Sequence, residues 1–223
     1  MRSIDPNDLV CMNDFEESHP LVVDLVYAKE KHPENMFKEA IYRSGAKLWL
    51  HKGLAEIVKN VSTYLYESYG WKLMLKDGLR TTTAQTKIMH TKICQKHPEW
   101  FIAPRLFSPP GAGGHPRGMA VDVDAFNTET EYMIDFGTAF DALPEDRSKG
   151  NPAARNYTGL GDTVIRNRRS LEKAFLHASE KEGIEITPLP TEWWDFRYTE
   201  EHIAQYAPLS DEDLPPEMRM TSL

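Results

Sequence analysis

The stretch that most constrains this chain is APRLFSPPGAGGHPRGMAVDVDAF, which ends at Phe126. Its first part is crowded with proline and glycine, which excludes a helix and predicts a loop with a specially shaped backbone. Its second part, MAVDVDAF at 119–126, alternates as a strand does. Met119, Val121 and Val123 fall on one face, and Ala120, Asp122 and Asp124 on the other. Any fold for this chain must therefore carry a strand with carboxylates on one face, and with His115 delivered by the loop that enters it.

The rest of the chain supplies the elements around that strand. PLVVDLVY at 20–27 reads as a buried strand, and residues 46–69 carry apolar side chains at helical spacing with Gly70 as the stop. WKLMLKDG at 71–78 is a short strand running into a turn, and TTAQTKIMHTKICQKH resumes a helical period up to Pro98. RNRRSLEKAFLHASEKEG at 166–183 is an amphipathic helix closed by Gly183, and IEITPLPTEWWDFRY reads as a final strand pair or a strand and loop. Helices cluster early and strands late, which predicts an α+β fold with a small, mainly antiparallel sheet and helices packed around it. There is no internal repeat or low-complexity linker, so residues 1–223 are expected to form a single domain with 1–20 as an N-terminal extension.

Charge narrows the partners. With 26 basic against 34 acidic residues and a net charge of −8, nucleic acid and anionic membrane are poor partners, and the short RNRRS run at 166–170 reads as the solvated face of a helix. No stretch approaches the roughly 18 apolar residues of a membrane span, and the N-terminus lacks an apolar leader. The expected location is the cytoplasm, or the periplasm if a leader precedes this sequence. Cys11 and Cys94 are too few and too far apart for a disulfide framework or a thiolate metal site.

The chemistry gathers at two places. His115 at the end of the glycine loop and Asp122 seven residues on suit two of the three protein ligands of an open catalytic zinc. Spacing alone serves a surface loop and an edge strand with solvated aspartates equally well. The second place is TEWWDF at 191–196, where Glu192 and Asp195 flank Trp193 and Trp194. Carboxylates held in apolar surroundings there could add a third ligand and a general base, the minimum set for metal-assisted hydrolysis.

These segments resemble the zinc D-alanyl-D-alanine dipeptidases of the VanX type, within the wider group of zinc D,D-peptidases. GHPRGMAVD is similar to that family's SxHxxGxAxD pattern, and EWWD to its ExWWH. VDLVYAKEKHPENMF at 23–37 looks like the family's DLxYA segment, LKDGLRTTTAQ at 75–85 like WDGYRPxxA, and GTAFDALPEDRS at 137–148 like GxxFDxxxERS. The resemblance implies one zinc per chain, bound by His115 and Asp122, and a cell-wall dipeptide such as D-Ala-D-Ala as substrate. It also implies that Glu192 is the general base and that Arg80 stabilises the oxyanion, a donor whose loss costs roughly 100- to 1,000-fold in rate. Asp141 with Tyr27 beside it would receive the substrate's ammonium, and Asp77 would orient the turn that presents Arg80.

Asp195 departs from the pattern, because the family carries histidine there as its third ligand. Carboxylate is an acceptable zinc ligand, so the set is expected to be His115, Asp122 and Asp195. Two carboxylates formally neutralise the dication, which weakens it as a Lewis acid and shifts preference toward another divalent ion such as manganese. His202, seven residues beyond Asp195, is the alternative third ligand. Gly113 and Gly114 also stand where the family usually has serines. Two other functions remain open: a D,D-carboxypeptidase acting on longer peptidoglycan peptides, and a non-catalytic peptide-binding descendant with an impaired metal site.

Overall fold

The structure, a computed structural model, describes residues 1–102, 107–142 and 150–222. Its central sheet has strand order β2–β4–β5–β7–β6. The strands are β2 (Leu21–Val23), β4 (Trp71–Asp77), β5 (Ala120–Asn127), β6 (Ile186–Pro188) and β7 (Asp195–Tyr198). The β2–β4 pair is parallel and the other pairings are antiparallel. A separate pair, β1 (Leu9–Cys11) and β3 (Trp49–His51), lies antiparallel beside it.

Period-2 alternation decides what each face of the sheet meets. Leu73, Leu75, Val121, Val123 and Phe196 turn toward the helices and are fully buried. Two long helices cover that face. In α1 (Lys52–Tyr69), Leu54, Ile57, Val58, Val61 and Leu65 recur at helical spacing and are buried. It ends where Gly70, at φ 66°, donates its amide to the Leu65 and Tyr66 carbonyls. In the second, α4 (Asp162–Glu182), Phe175 stacks on Phe196 of β7 with ring centroids 3.7 Å apart. The shorter helices are α2 (Thr82–Met89), α3 (Lys92–Lys96) and α5 (Glu200–Ile203). The mixed α+β architecture is the expected one.

Several expectations need correction. Helices and strands interleave along the chain rather than separating into an early and a late group. Within 20–27 only Leu21–Val23 is strand, and Val26–Ala28 form a 3₁₀ turn that points Tyr27 inward. The 46–69 segment opens with β3 before the helix begins. TTAQTKIMHTKICQKH splits into α2 and α3, each capped by a threonine hydroxyl, because Thr91 offers a new N-cap before the first helix can continue. RNRRS is not wholly a solvated face: Arg168 is buried and donates to the carbonyls of Phe136, Pro152 and Ala154. Of the Pro/Gly loop, residues 103–106 lie outside the described residues, as do 143–148 of GTAFDALPEDRS.

Candidate metal and peptidase site

On the sheet face away from α1 and α4, three strands place three aspartates in one row. Asp77 of β4 pairs with Asp122 of β5, and Asp122 pairs with Asp195 of β7. Residues directly opposite in adjacent strands share a face. For Asp77 this depends on a bulge: Leu75 pairs with Val123, so regular pairing would set Lys76 against Asp122 and turn Asp77 to the helix side. The irregularity between Leu75 and Asp77 inserts one extra residue and re-aims Asp77 into the row.

Carboxylates packed this closely repel, and burial raises the cost of every charge. Three side chains offset it. Arg80 donates to Asp77 Oδ2 through Nε at 2.8 Å, and its Nη2 lies 3.5 Å from Asp122 Oδ2. Arg197, two residues beyond Asp195 and so on the same face of β7, forks it: Nε donates to Oδ1 at 2.7 Å and Nη2 to Oδ2. His115 sits over the row, with Nε2 3.5 Å from Asp122 Oδ2 and 3.4 Å from Asp195 Oδ2.

His115 is held in one orientation. It enters on a 3₁₀ turn, His115–Arg117, that closes at Gly118 with φ 63°. Its Nδ1 lies 2.8 Å from the Gly78 carbonyl oxygen. A carbonyl only accepts, so Nδ1 carries the proton and Nε2 is the ring nitrogen turned to the carboxylates. Burial alone would lower the pKa of His115, but Asp122 and Asp195 outweigh it and push the group up to about 10. The aspartates therefore call for positive charge at Nε2, which a proton or a metal ion would supply.

Asp122 and Asp195 differ. Burial pushes Asp122 above the usual carboxylate range despite His115, and its Oδ1 is buried without a hydrogen-bond partner. Burial acts on Asp195 in the same direction, but the Arg197 fork and His115 outweigh it and hold the carboxyl well below that range. Asp77 is saturated. Tyr42 donates its hydroxyl to Oδ1 at 2.7 Å, the Gly78 amide donates to Oδ1 at 2.9 Å, and Arg80 takes Oδ2.

The donor set fits a divalent ion. Asp77, His115 and Asp122 form a buried group with one ligand atom of each within 4.8 Å of the others, which could hold a metal. Asp77 is spoken for by its three donors, so it suits an orienting role. Asp195 lies outside that group and is itself forked by Arg197 on both oxygens, but its Oδ2 stands 3.4 Å from His115 Nε2, close to the roughly 3.3–3.4 Å expected between ligands around a tetrahedral zinc. His202 packs elsewhere. Its ring lies 4.7 Å from that of Tyr198 and stacks on Tyr206. Tyr198 alternates with Arg197 to the opposite face of β7, so the sheet separates His202 from the aspartate row.

TEWWDF turns out to be a pinned corner. Glu192, Trp193 and Trp194 precede β7. Trp193 stacks on Phe136 at 4.4 Å and donates its indole N–H to Thr138 Oγ1 at 2.8 Å, and Trp194 meets its edge at 5.5 Å. Arg155 fastens the backbone by donating to the carbonyls of Leu189, Trp193 and Asp195. The Glu192 side chain has no hydrogen-bond partner among the described residues. Burial, with the nearby charges of Asp195, Asp122 and Asp141, pushes its carboxyl up to about 8. A carboxyl shifted toward neutrality suits proton transfer.

On the other flank, the Tyr27 hydroxyl donates to Asp141 Oδ2, and the Arg80 guanidinium lies 5.4 Å from the centre of the Tyr27 ring. Burial pushes Asp141 up to about 6 even with Tyr27 and Arg80 close by. The structure thus brings Tyr27, Arg80, His115, Asp122, Asp141, Glu192 and Asp195 to one region. Sequence reasoning passed over Arg197, Arg155 and Tyr42. The first was detectable, because position i+2 of a strand shares the face of position i.

The sequence profile of the family described as D-ala-D-ala dipeptidase matches residues 16–211. No individual curated protein matches the chain.

Proposed function

Because the chain belongs to the D-ala-D-ala dipeptidase family of zinc metallopeptidases, we propose that it hydrolyses D-Ala-D-Ala or a closely related cell-wall dipeptide. The observation that carries this reading is the convergence of Asp122 and Asp195 on His115 Nε2, with the Glu192 carboxyl buried near the same charges and without a hydrogen-bond partner among the described residues. Held by His115, Asp122 and Asp195, a zinc ion or another divalent metal would polarise the scissile carbonyl and acidify the attacking water.

The chain's own groups do the rest. Tyr27 fixes Asp141 Oδ2, and no donor among the described residues takes Oδ1, which would receive the substrate ammonium. Arg80 spends Nε and Nη2 on Asp77, and no acceptor among the described residues takes its Nη1, which is available to the oxygen that becomes negative. Glu192 takes the proton from the water and returns it to the leaving amine, a role that burial favours by raising the carboxyl's affinity for a proton.

A D,D-carboxypeptidase acting on longer peptides is the second reading, and the buried Tyr27–Asp141 pair disfavours it, since an acylated substrate brings no ammonium to that carboxylate. The test is amine release from D-Ala-D-Ala, L-Ala-L-Ala and N-acetyl-D-Ala-D-Ala by metal-replete protein. Cleavage of the first alone supports the proposal. Cleavage of the acetylated peptide supports the carboxypeptidase, and cleavage of none supports a peptide-binding descendant.

A further inference from the structure

The glycine loop leaves a space with two unused donors beside it. At Gly113, with φ 82°, a Cβ would stand 3.5 Å from Ser108 Oγ and 3.6 Å from Arg197 Nη1. Arg197 commits Nε and Nη2 to Asp195, but no acceptor among the described residues takes Nη1, and its side chain is 11% exposed. Ser108 is exposed, and its hydroxyl likewise has no acceptor among the described residues. The loop is not slack. Arg117 Nη1 donates to the carbonyls of Gly111 and Gly113, and Gln85 accepts from the Gly111 amide and donates to the Ala112 carbonyl. A guanidinium N–H and a hydroxyl thus flank one small space in a braced wall, next to the aspartate that touches His115.

We infer that Arg197, assisted by Ser108, anchors the C-terminal carboxylate of the substrate in this space. The inference rests on the dipeptidase reading. Strand order supports the placement: Asp122 lies on β5, between β4, which leads into Arg80, and β7, which carries Arg197. A peptide lying across the row with its carbonyl toward Arg80 and His115 would bring its carboxylate to the β7 side. Asp195 and Arg197 then act as one device, in which the fork to Asp195 fixes the guanidinium so that Nη1 points into the space without further loss of side-chain freedom. Gly113 is what keeps the space open.

The experiment compares binding of D-Ala-D-Ala and of its C-terminal amide, by calorimetry, to metal-replete Glu192→Ala protein and to the same protein carrying Arg197→Met, Arg197→Lys or Ser108→Ala. The acid-to-amide affinity ratio is the readout, because general damage to the site weakens both ligands and cancels. A charge-assisted contact predicts a ratio of about 10- to 100-fold in the parent. It should fall to about twofold or less with Arg197→Met and to an intermediate value with Arg197→Lys and Ser108→Ala. A ratio that persists in Arg197→Met overturns the anchor and leaves the dipeptidase reading standing. If Arg197→Met does not fold, an unchanged ratio in both Arg197→Lys and Ser108→Ala overturns it. If the parent binds neither ligand and the unsubstituted protein hydrolyses no dipeptide, the dipeptidase reading falls and takes the anchor with it.

Discussion

The Tyr27 hydroxyl donates to Asp141 across 114 residues of chain, and Asp141 holds a left-handed backbone at φ 57° to receive it. Aspartate tolerates that region better than most residues, yet a non-glycine there is uncommon and marks a position whose surroundings fix it. If this pair measures the substrate from its free amine, Asp141→Asn should raise KM for D-Ala-D-Ala by about 10-fold or more with a smaller change in kcat. Tyr27→Phe should do the same more weakly. Steady-state kinetics decides, and an unchanged KM in Asp141→Asn removes the assignment.

Glu192 should separate chemistry from metal binding. With no hydrogen bond from its side chain to any described residue, Glu192→Ala is expected to leave metal content and thermal stability near those of the parent, while turnover falls by a factor on the order of 100 or more. Elemental analysis and amine release on the same preparation check both halves. Retained turnover would assign the proton transfer to another group.

Asp195 should report through metal content first. Asp195→Ala removes one of three proposed ligands and strands the buried Arg197 charge, so it should lose metal and stability together, the latter by about 3–5 kcal/mol. Asp195→His should recover metal and favour zinc over manganese, since imidazole suits zinc. His202→Ala should retain full metal, because that ring lies across the sheet against Tyr198. Loss of metal in His202→Ala alone would reverse the ligand assignment.

A cluster away from the site should give acid sensitivity. The buried Lys76 ammonium donates to Asp24 at 3.0 Å and to Glu34 at 2.6 Å. Burial pushes Asp24 up, but Lys76, with His32, more than offsets this and leaves the carboxyl below its usual range. A depressed carboxyl contributes stability that is fully present above its unfolded pKa of about 3.9 and is lost as pH falls through the folded value. Lys76→Met should therefore cost roughly 2 kcal/mol at pH 7, and the gap to the parent in Tm should narrow as the pH drops below about 4. A gap that is constant from pH 7 to pH 3 would show that Asp24 adds nothing.

Local chemistry is what the sequence determined by itself. Alternation in MAVDVDAF placed Asp122 away from the apolar face, glycines stopped α1 and α4, and the spacing of His115 and Asp122 with EWWD pointed to the family, because each of these is written in neighbouring residues. The tertiary structure decided what depends on register and on contacts across long separations. The bulge at Lys76 that turns Asp77 into the row is a property of how β4 meets β5 and leaves no mark in either strand's own period. Tyr42 on Asp77 and Arg155 on the TEWWDF backbone join segments 35 and 38 to 40 residues apart. Even Arg197, legible as a neighbour of Asp195 on one face, gained its meaning only when packing brought Gly113 beside its Nη1. Burial, charge pairing and pKa are sums over everything that surrounds a group, and a chain specifies those surroundings only once it has folded.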